Sequence, residues 1–306
     1  LKITAVGNPV YDIIETPFVK TKGRVLSGCS TNFCLALAKL GVRTTLVGNV
    51  GGDLKQQIVR DLERYGIEHV LHESSQTGGF SLRYFGEHGE RELKLLGDAG
   101  AITSFPEQSH DSDFVVFGPI LGEVDLTYAK RLRKRSDARF ILDPQGILRG
   151  QRDGMIFHEK QPETEELIGM CEVVKPNELE CKVLTGIDPR IDARTPARII
   201  KSWGPDVVII TLAELGSLIY DGHEFTPIPP FDTLAKDSTG AGDTYLGGFM
   251  YGFSQGWDLY ECGCMGSAVA SVMIEHTGPE FPLTLTEATK RKDRLLGLRS
   301  EVEQLR

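Results

Sequence analysis

Asp237-Ser238-Thr239-Gly240-Ala241-Gly242-Asp243, followed by Thr244-Tyr245-Leu246-Gly247-Gly248-Phe249-Met250, is the stretch that decides how this chain is read. Three small residues stand directly before a carboxylate, and an apolar, helix-like run follows. Small side chains let backbone N–H groups converge on one point at a helix N-terminus, where unpaired amides and the helix dipole favour an anion. Asp243 would repel that anion, unless its task is to take a proton from a group approaching it. Phosphoryl transfer to a hydroxyl needs this pairing: amides for the phosphate charge and a base for the attacking oxygen. The plainer alternative is a glycine-rich helix start with Asp243 as an ordinary first-turn residue.

Bulk properties narrow the field. The chain has 306 residues, 40% hydrophobic and 25% charged, which is ordinary for a soluble globular protein and enough for one large α/β domain. A net charge of -9 without a basic block argues against nucleic-acid binding, because phosphate neutralisation supplies most of that affinity. No apolar run approaches the roughly 20 residues that span a bilayer, and no basic segment with an apolar stretch behind it marks a secretory signal. The sequence starts at Leu1, so a residue or so before it is expected to be missing. The six cysteines lack metal-ligand spacing, and Cys262 and Cys264 form a lone C-x-C within a helical pattern. Free thiols in a reducing, cytoplasmic setting are the expectation.

Strand and helix signals alternate. Lys2 to Val6, Thr44 to Val50, Asp113 to Phe117, Phe140 to Leu142, Glu172 to Lys175 and Asp206 to Thr211 read as strands. Asn32 to Leu40, Asp53 to Tyr65, Val124 to Arg135 and Ala193 to Trp203 read as helices, and Ser217 to Tyr220 with Glu224 to Ile228 as a hairpin around Asp221-Gly222. The order implies a mainly parallel sheet covered on both faces. Glu15 to Leu26 and Gly79 to Leu96 break the rhythm as extended stretches, with turn signals at Lys22-Gly23 and Glu87-His88-Gly89. They are read as a small β lid on a single domain spanning 1–306, although plain exposed hairpins would give the same pattern. Thr286 to Arg306 reads as a charged surface helix.

The segment Asp237 to Met250 resembles the second signature of the ribokinase-like (PfkB) family of carbohydrate and nucleoside kinases. Ser27-Gly28-Cys29-Ser30-Thr31-Asn32, then Leu40-Gly41 and Gly48-Asn49-Val50-Gly51-Gly52-Asp53, resembles the family's first signature, with Ser27 where the family usually has Gly. The resemblance runs from Gly7 to about Pro282. It implies a three-layer α/β sandwich with a mainly parallel central sheet and a β lid. It also implies Mg²⁺-dependent transfer of the γ-phosphoryl of ATP to a hydroxyl of a sugar-like substrate. In that reading Asp243 is the base, and the amides of Gly240, Ala241 and Gly242 bear the growing charge. Asp12, Gly28 and Asn32 orient the acceptor, Asp12 being otherwise an exposed turn residue and Asn32 otherwise a helix N-cap.

Further matches complete the implied site. Asn177-Glu178-Leu179-Glu180 matches the N-x-x-E element, in which Glu180, aided by Asn177, holds Mg²⁺ through water; as a bare pattern it is also a commonplace helix start. Thr211-Leu212-Ala213-Glu214-Leu215-Gly216 resembles the nucleotide loop T-x-G-x-x-G, placing donor phosphates against Thr211 and Gly216. Ala213 replaces a glycine there, at a cost of about 1 kcal/mol if the backbone must be left-handed. Gly278 is implied to lie near the adenine. Asp143, after a strand, either assists the metal or makes a structural turn, and Arg83 on the lid either reaches a phosphate or is solvated. A monovalent-cation requirement and a homodimer formed through exposed lid edges are left open. A sugar or polyol is preferred to a nucleoside, whose base would need an apolar slot from Phe18, Phe80, Tyr84 and Phe85. A non-catalytic binder of the same fold is the alternative of another class.

Overall fold

A computed structural model describes residues 1–85, 90–105 and 111–304. In chain order the elements are β1 (Ile3–Val6), β2 (Val10–Glu15), β3 (Val25–Ser27), α1 (Cys29–Lys39), β4 (Thr44–Gly51), α2 (Lys55–Arg64), β5 (Glu68–Ser74), β6 (Gly79–Phe85), β7 (Glu90–Gly97), β8 (Phe114–Phe117), α3 (Leu126–Arg133) and β9 (Arg139–Leu142). After these come β10 (Arg149–Arg152), β11 (Met155–His158), α4 (Thr164–Gly169), β12 (Val173–Val174), α5 (Glu178–Thr185), α6 (Arg194–Ser202), β13 (Val207–Thr211), β14 (Ser217–Tyr220), β15 (Phe225–Ile228), α7 (Ala241–Phe253), α8 (Leu259–Ile274) and α9 (Leu285–Gln304).

Nine strands form one sheet in the order β15-β14-β13-β12-β9-β8-β1-β4-β5. Pairing is parallel from β13 to β5, and the β14–β15 hairpin closes one side antiparallel. Period-2 alternation splits its apolar residues between two layers. Ile3, Leu46, Ile141 and Ile209 face a core with Phe33 of α1, Phe249 of α7 and Val269 of α8. Val6, Val47, Phe140, Val208 and Ile210 face the other core, with Leu132 of α3, Ile168 of α4 and Ile200 of α6. The architecture is therefore the expected three-layer α/β sandwich.

The strand order reverses at β1, which pairs with β4 on one side and β8 on the other. In open parallel sheets such a reversal leaves a crevice beyond the carboxyl ends of the strands. The segments that leave those ends here carry Asn8, Gly118, Asp143, Lys175 and Leu212.

Over this end lies a second sheet of six strands, in the order β10-β11-β7-β6-β2-β3. It differs from the two stretches expected to build it. Its first strand begins at Val10, and most of 16–24 is irregular. Pro17 has no N–H to give, and the Thr16 hydroxyl accepts from Phe18 N and Val19 N, so a local turn replaces the ladder. The stretch 79–96 does form a strand pair, while the turn at Glu87-His88-Gly89 lies outside the described residues. Strands β10 and β11 were not anticipated at all. They pair around Asp153-Gly154, with Asp153 at φ 52, and β11 joins β7. The lid has its own apolar cluster of Val10, Ile14, Phe80, Leu82, Tyr84, Leu93 and Ile120.

Candidate active site

The turn 237–243 caps α7. Gly240 is its N-cap, with φ 80. A Cβ there would come within 2.7 Å of Asn32 Nδ2, so both backbone hand and space require glycine. The turn is held by Thr239 N donating to Asp237 Oδ1 at 2.9 Å and by the Thr239 hydroxyl donating to Tyr84 OH, on the lid, at 2.9 Å. Among the described residues no acceptor meets the N–H of Gly240, Gly242 or Asp243, whereas Ala241 N donates to Ser238 O at 3.2 Å. The expectation of three free amides at 240–242 is thus corrected for Ala241, whose amide closes the turn.

Asp243 follows in the first turn of α7, partly exposed. Asn32 Nδ2 donates to its Oδ2 at 2.9 Å, across 211 residues of sequence. Asn32 is inside α1, with its backbone N donating to Gly28 O at 2.8 Å. The helix N-cap is Gly28, at φ 115, so the capping alternative for Asn32 does not hold. Loss of water around the carboxyl, and then the nearby Asp143, raise the Asp243 pKa above the usual carboxylate range, against the pull of Asn32, Lys175 and Cys29. A raised pKa makes a carboxylate a stronger base at neutral pH.

Asp12 is buried within β2, not exposed on a turn, and its Oδ1 accepts Phe80 N of the lid at 2.8 Å. Gly28 lies against Ile120, whose Cδ1 would be 3.1 Å from a Cβ on that glycine. Asp12 thus meets the lid at Phe80, which is packed in the lid cluster with Val10 and Ile120, while Asn32 and Asp243 meet each other.

Asn177 and Glu180 form a capping box on α5. Asn177 Oδ1 accepts Glu180 N at 2.9 Å, and Glu180 Oε2 accepts Asn177 N at 2.8 Å. Asn177 Nδ2 also donates to Glu180 Oε1 at 2.7 Å. Glu180 is buried, and burial followed by Asp143 pushes its carboxyl up to about 7. Two buried carboxylates close enough for one to raise the other, Asp143 acting on Glu180, suit a hard divalent cation with oxygen ligands. Asp143 Oδ2 pairs with Lys175 Nζ at 2.9 Å, both side chains buried. Cys29 Sγ and carboxylate oxygens of Asp143 and Asp243 lie within 4.8 Å of one another.

Thr211 ends β13, its N donating to Pro176 O at 3.1 Å, so the turn 211–216 adjoins the start of α5. Ala213 has φ 48, so the backbone there is left-handed and the conditional cost of the alanine applies, and Gly216 has φ 86. Arg190 bridges Glu178 of α5 and Glu214 of the turn. Gly278 lies against Val25 of the lid, 3.6 Å from a Cβ placed on it. Arg83 is exposed on β6. Asp237 Oδ2 and Thr277 Oγ1 are buried polar atoms without a hydrogen-bond partner among the described residues.

Lys175 escaped the sequence reading. The available signal was a charged residue ending the short buried strand Val173–Val174. Arg149, buried at the start of β10, escaped too; its Nη2 donates to Gln145 Oε1 at 2.8 Å.

Against known proteins, the profile of the pfkB family carbohydrate kinases matches residues 11–285. A nucleoside kinase of Methanothermobacter thermautotrophicus is 30% identical over 311 residues, 94% of each chain. A cytidine kinase of Thermococcus kodakarensis is 28% identical over 287 residues, 91% of this chain and 98% of that one. The solved structure of a pyrophosphate-dependent kinase in the ribokinase family, with a pyrophosphate analog and myo-inositol, superposes with a TM-score of 0.81 at 23% identity, covering 94% of this chain and 99% of that one.

Proposed function

The chain belongs to the pfkB family of carbohydrate kinases, and from that premise we propose that it transfers the γ-phosphoryl of ATP to a hydroxyl of a nucleoside, with Asp243 as general base. The observation that carries this reading is the Asp243 carboxylate, raised in pKa and steered by Asn32, standing in a helix first turn whose Gly242 and Asp243 amides meet no acceptor among the described residues. Asp243 accepts the proton of the acceptor hydroxyl. The turn Gly240, Ala241, Gly242 carries the charge that develops on the phosphoryl group, the long Ala241 bond to Ser238 yielding as it does so. Asp12, Gly28 and Asn32 orient the sugar hydroxyls. Thr211 and Gly216 take the donor phosphates, with Gly278 toward the base of the nucleotide.

Glu180 and Asp143, with Asn177, would hold Mg²⁺ through its waters; when bound, the ion supplies positive charge to the donor phosphates. Asp237 Oδ2 and Thr277 Oγ1, buried neighbours that lack a well-formed hydrogen bond among the described residues, fit a monovalent cation. Closure of the lid on the turn, through Tyr84 and Thr239, keeps water from the phosphoryl group. The exposed lid residues Phe18, Phe85, Met155 and Phe157 suit a homodimer made through the lid. Six free, buried cysteines accord with action in the cytoplasm.

A nucleoside is favoured over a plain sugar because the relatives named above include nucleoside and cytidine kinases. The sugar reading has one observation of its own: Phe80 and Tyr84 are already buried in the lid cluster, which leaves little open aromatic surface for a base. An acceptor screen with Mg²⁺ decides between them, run once with ATP and once with pyrophosphate as donor. We expect kcat/KM with ATP to be at least tenfold higher for a nucleoside than for free ribose or an inositol. Higher values for a free sugar overturn the nucleoside assignment, and turnover with pyrophosphate alone overturns the donor.

A further inference from the structure

We infer that the Lys175 ammonium is a catalytic group, one that contacts the phosphoryl group during its transfer. The inference rests on the reading in which Asp243 faces the acceptor hydroxyl and the Gly240–Gly242 turn faces the phosphoryl group.

Topology puts Lys175 there. Val174 of β12 is in register with Leu142 of β9, so the next residues, Lys175 and Asp143, leave neighbouring strand ends side by side. That is the carboxyl end of the parallel sheet, at the crevice. Lys175 Nζ is 2.9 Å from Asp143 Oδ2, and an Asp143 oxygen is within 4.8 Å of an Asp243 oxygen. A Cβ on Gly242 would come within 3.0 Å of the same Nζ. The missing side chain at position 242 therefore has a second consequence besides freeing an amide: it lets an ammonium stand directly under the turn.

Folding alone does not call for this arrangement. A buried ion pair contributes little net stability and is often replaced by apolar residues without loss. Nor is Lys175 matched to one partner. Asp143, Glu180 and Asp243 all attract its ammonium. Three carboxylates around one ammonium leave the cluster short of positive charge. They also leave Lys175 able to exchange Asp143 for an incoming phosphate oxygen.

In the step itself, the bond between the terminal phosphorus and its bridging oxygen breaks, and the electron pair leaves with the donor diphosphate. A bond forms from the acceptor oxygen to phosphorus, and the acceptor proton passes to Asp243. Lys175 keeps its protons throughout and donates a charged hydrogen bond to a non-bridging oxygen of the phosphoryl group.

The test removes charge in matched pairs, so that no carboxylate is stranded. K175M/D143N is compared with D143N and wild type by thermal melting, acceptor binding without donor, and single-turnover transfer with Mg²⁺ and ATP. We expect K175M/D143N to melt within a few degrees of wild type and bind acceptor within about threefold, while its transfer rate falls about 10²-fold or more. D143N removes a carboxylate placed beside Mg²⁺ and should also slow transfer, but it retains Lys175 and should fall at least tenfold less than the pair variant. K175R should recover part of the loss relative to K175M/D143N. Transfer by the pair variant within fivefold of wild type overturns the proposal, as does a loss no greater than that of D143N alone. Should the pair variant not fold, G242A serves in its place: the added methyl displaces Nζ, and undiminished transfer in folded G242A overturns the proposal equally. A D243N variant with normal transfer would instead remove the reading of Asp243, so the two failures are distinguishable.

Discussion

Two short turns end at neighbouring parts of the crevice and are built in opposite ways. The turn 237–243 is enclosed. Its left-handed residue is Gly240, a methyl there would strike Asn32, and Thr239 ties the turn to the lid. The turn 211–216 is open. Its left-handed residue is Ala213, exposed at φ 48, and the bridge from Arg190 to Glu214 holds it from outside. The enclosed turn carries the groups proposed to do the chemistry, which must be placed within a few tenths of an ångström, and it leaves no room for a side chain at its pivot. The open turn is the one proposed to take phosphates through backbone groups, and there about 1 kcal/mol of local strain is compatible with the fold. Rigidity is spent where bonds change, not wherever phosphate is held.

The sharpest way to break this contrast is at Asp243. In Asp243→Asn the contact from Asn32 can be kept by the new amide oxygen, but the base is gone. We expect kcat to fall by about 10²-fold or more, as loss of a general base does. The stability effect should have the opposite sign. The folded pKa of Asp243 is raised, so the native state gains from its proton below the unfolded value and loses that gain as pH rises. At pH 8 the variant should therefore melt at or above the wild-type temperature. A variant that is slow because it is unfolded would contradict the assignment of the loss to chemistry.

Gly240→Ala comes next. The methyl needs space now held by Asn32 Nδ2 and imposes a left-handed backbone on a residue with a Cβ. We expect about 2 kcal/mol of destabilisation in urea unfolding and a loss of roughly tenfold or more in kcat, because Asn32 must move and Asp243 with it. A neutral Gly240→Ala would mean that the enclosed turn is no stiffer than the open one.

How much of this could be read from the chain depended on how local the cause was. Buried parallel strands such as Val207–Thr211 stand out because both faces are apolar, and the structure places them within a residue or two of expectation. The turn 237–243 was legible for the same reason, since its small residues, carboxylate and helix are contiguous. The lid was only half legible. Asp153-Gly154 was a hairpin signal, but the strands around it, Arg149–Arg152 and Met155–His158, mix charges with apolar residues and have no clean alternation. The contact of Asn32 with Asp243 joins residues 211 apart, and Lys175 gains meaning only from Asp143 on the neighbouring strand. Sequence showed the groups, and the parallel register showed which of them meet.

Glu180, at the start of α5 between the two turns, offers a probe by pH. Its carboxyl is raised from the ordinary 4.5 to about 7 by burial and Asp143. The native state therefore holds a proton that the unfolded chain releases near pH 4.5. Its contribution is fully present below pH 4.5, declines as pH rises to about 7, and is flat above. Glu180→Gln keeps acceptor and donor atoms for the Asn177 capping box but does not titrate. Relative to this variant, wild type should lose on the order of a few kcal/mol of unfolding free energy between pH 5 and pH 8. Parallel curves for the two proteins would show that the carboxylate cluster is not short of positive charge.

The smallest expected effect is the finest test of the contrast. Ala213→Gly removes the left-handed penalty of about 1 kcal/mol, yet glycine also widens the unfolded ensemble by a similar amount. The two nearly cancel, so we expect a gain of no more than about 0.5 kcal/mol in urea unfolding, several-fold smaller than the loss at Gly240→Ala. The KM for ATP should move less than threefold and kcat should not move, because Ala213 is exposed and Thr211 and Leu212 keep their ties to Pro176 and Gly216. A large fall in KM would show instead that the methyl of Ala213 stands in the donor's path. The open turn would then select what may enter it, and the alanine would be a specificity device rather than tolerated strain.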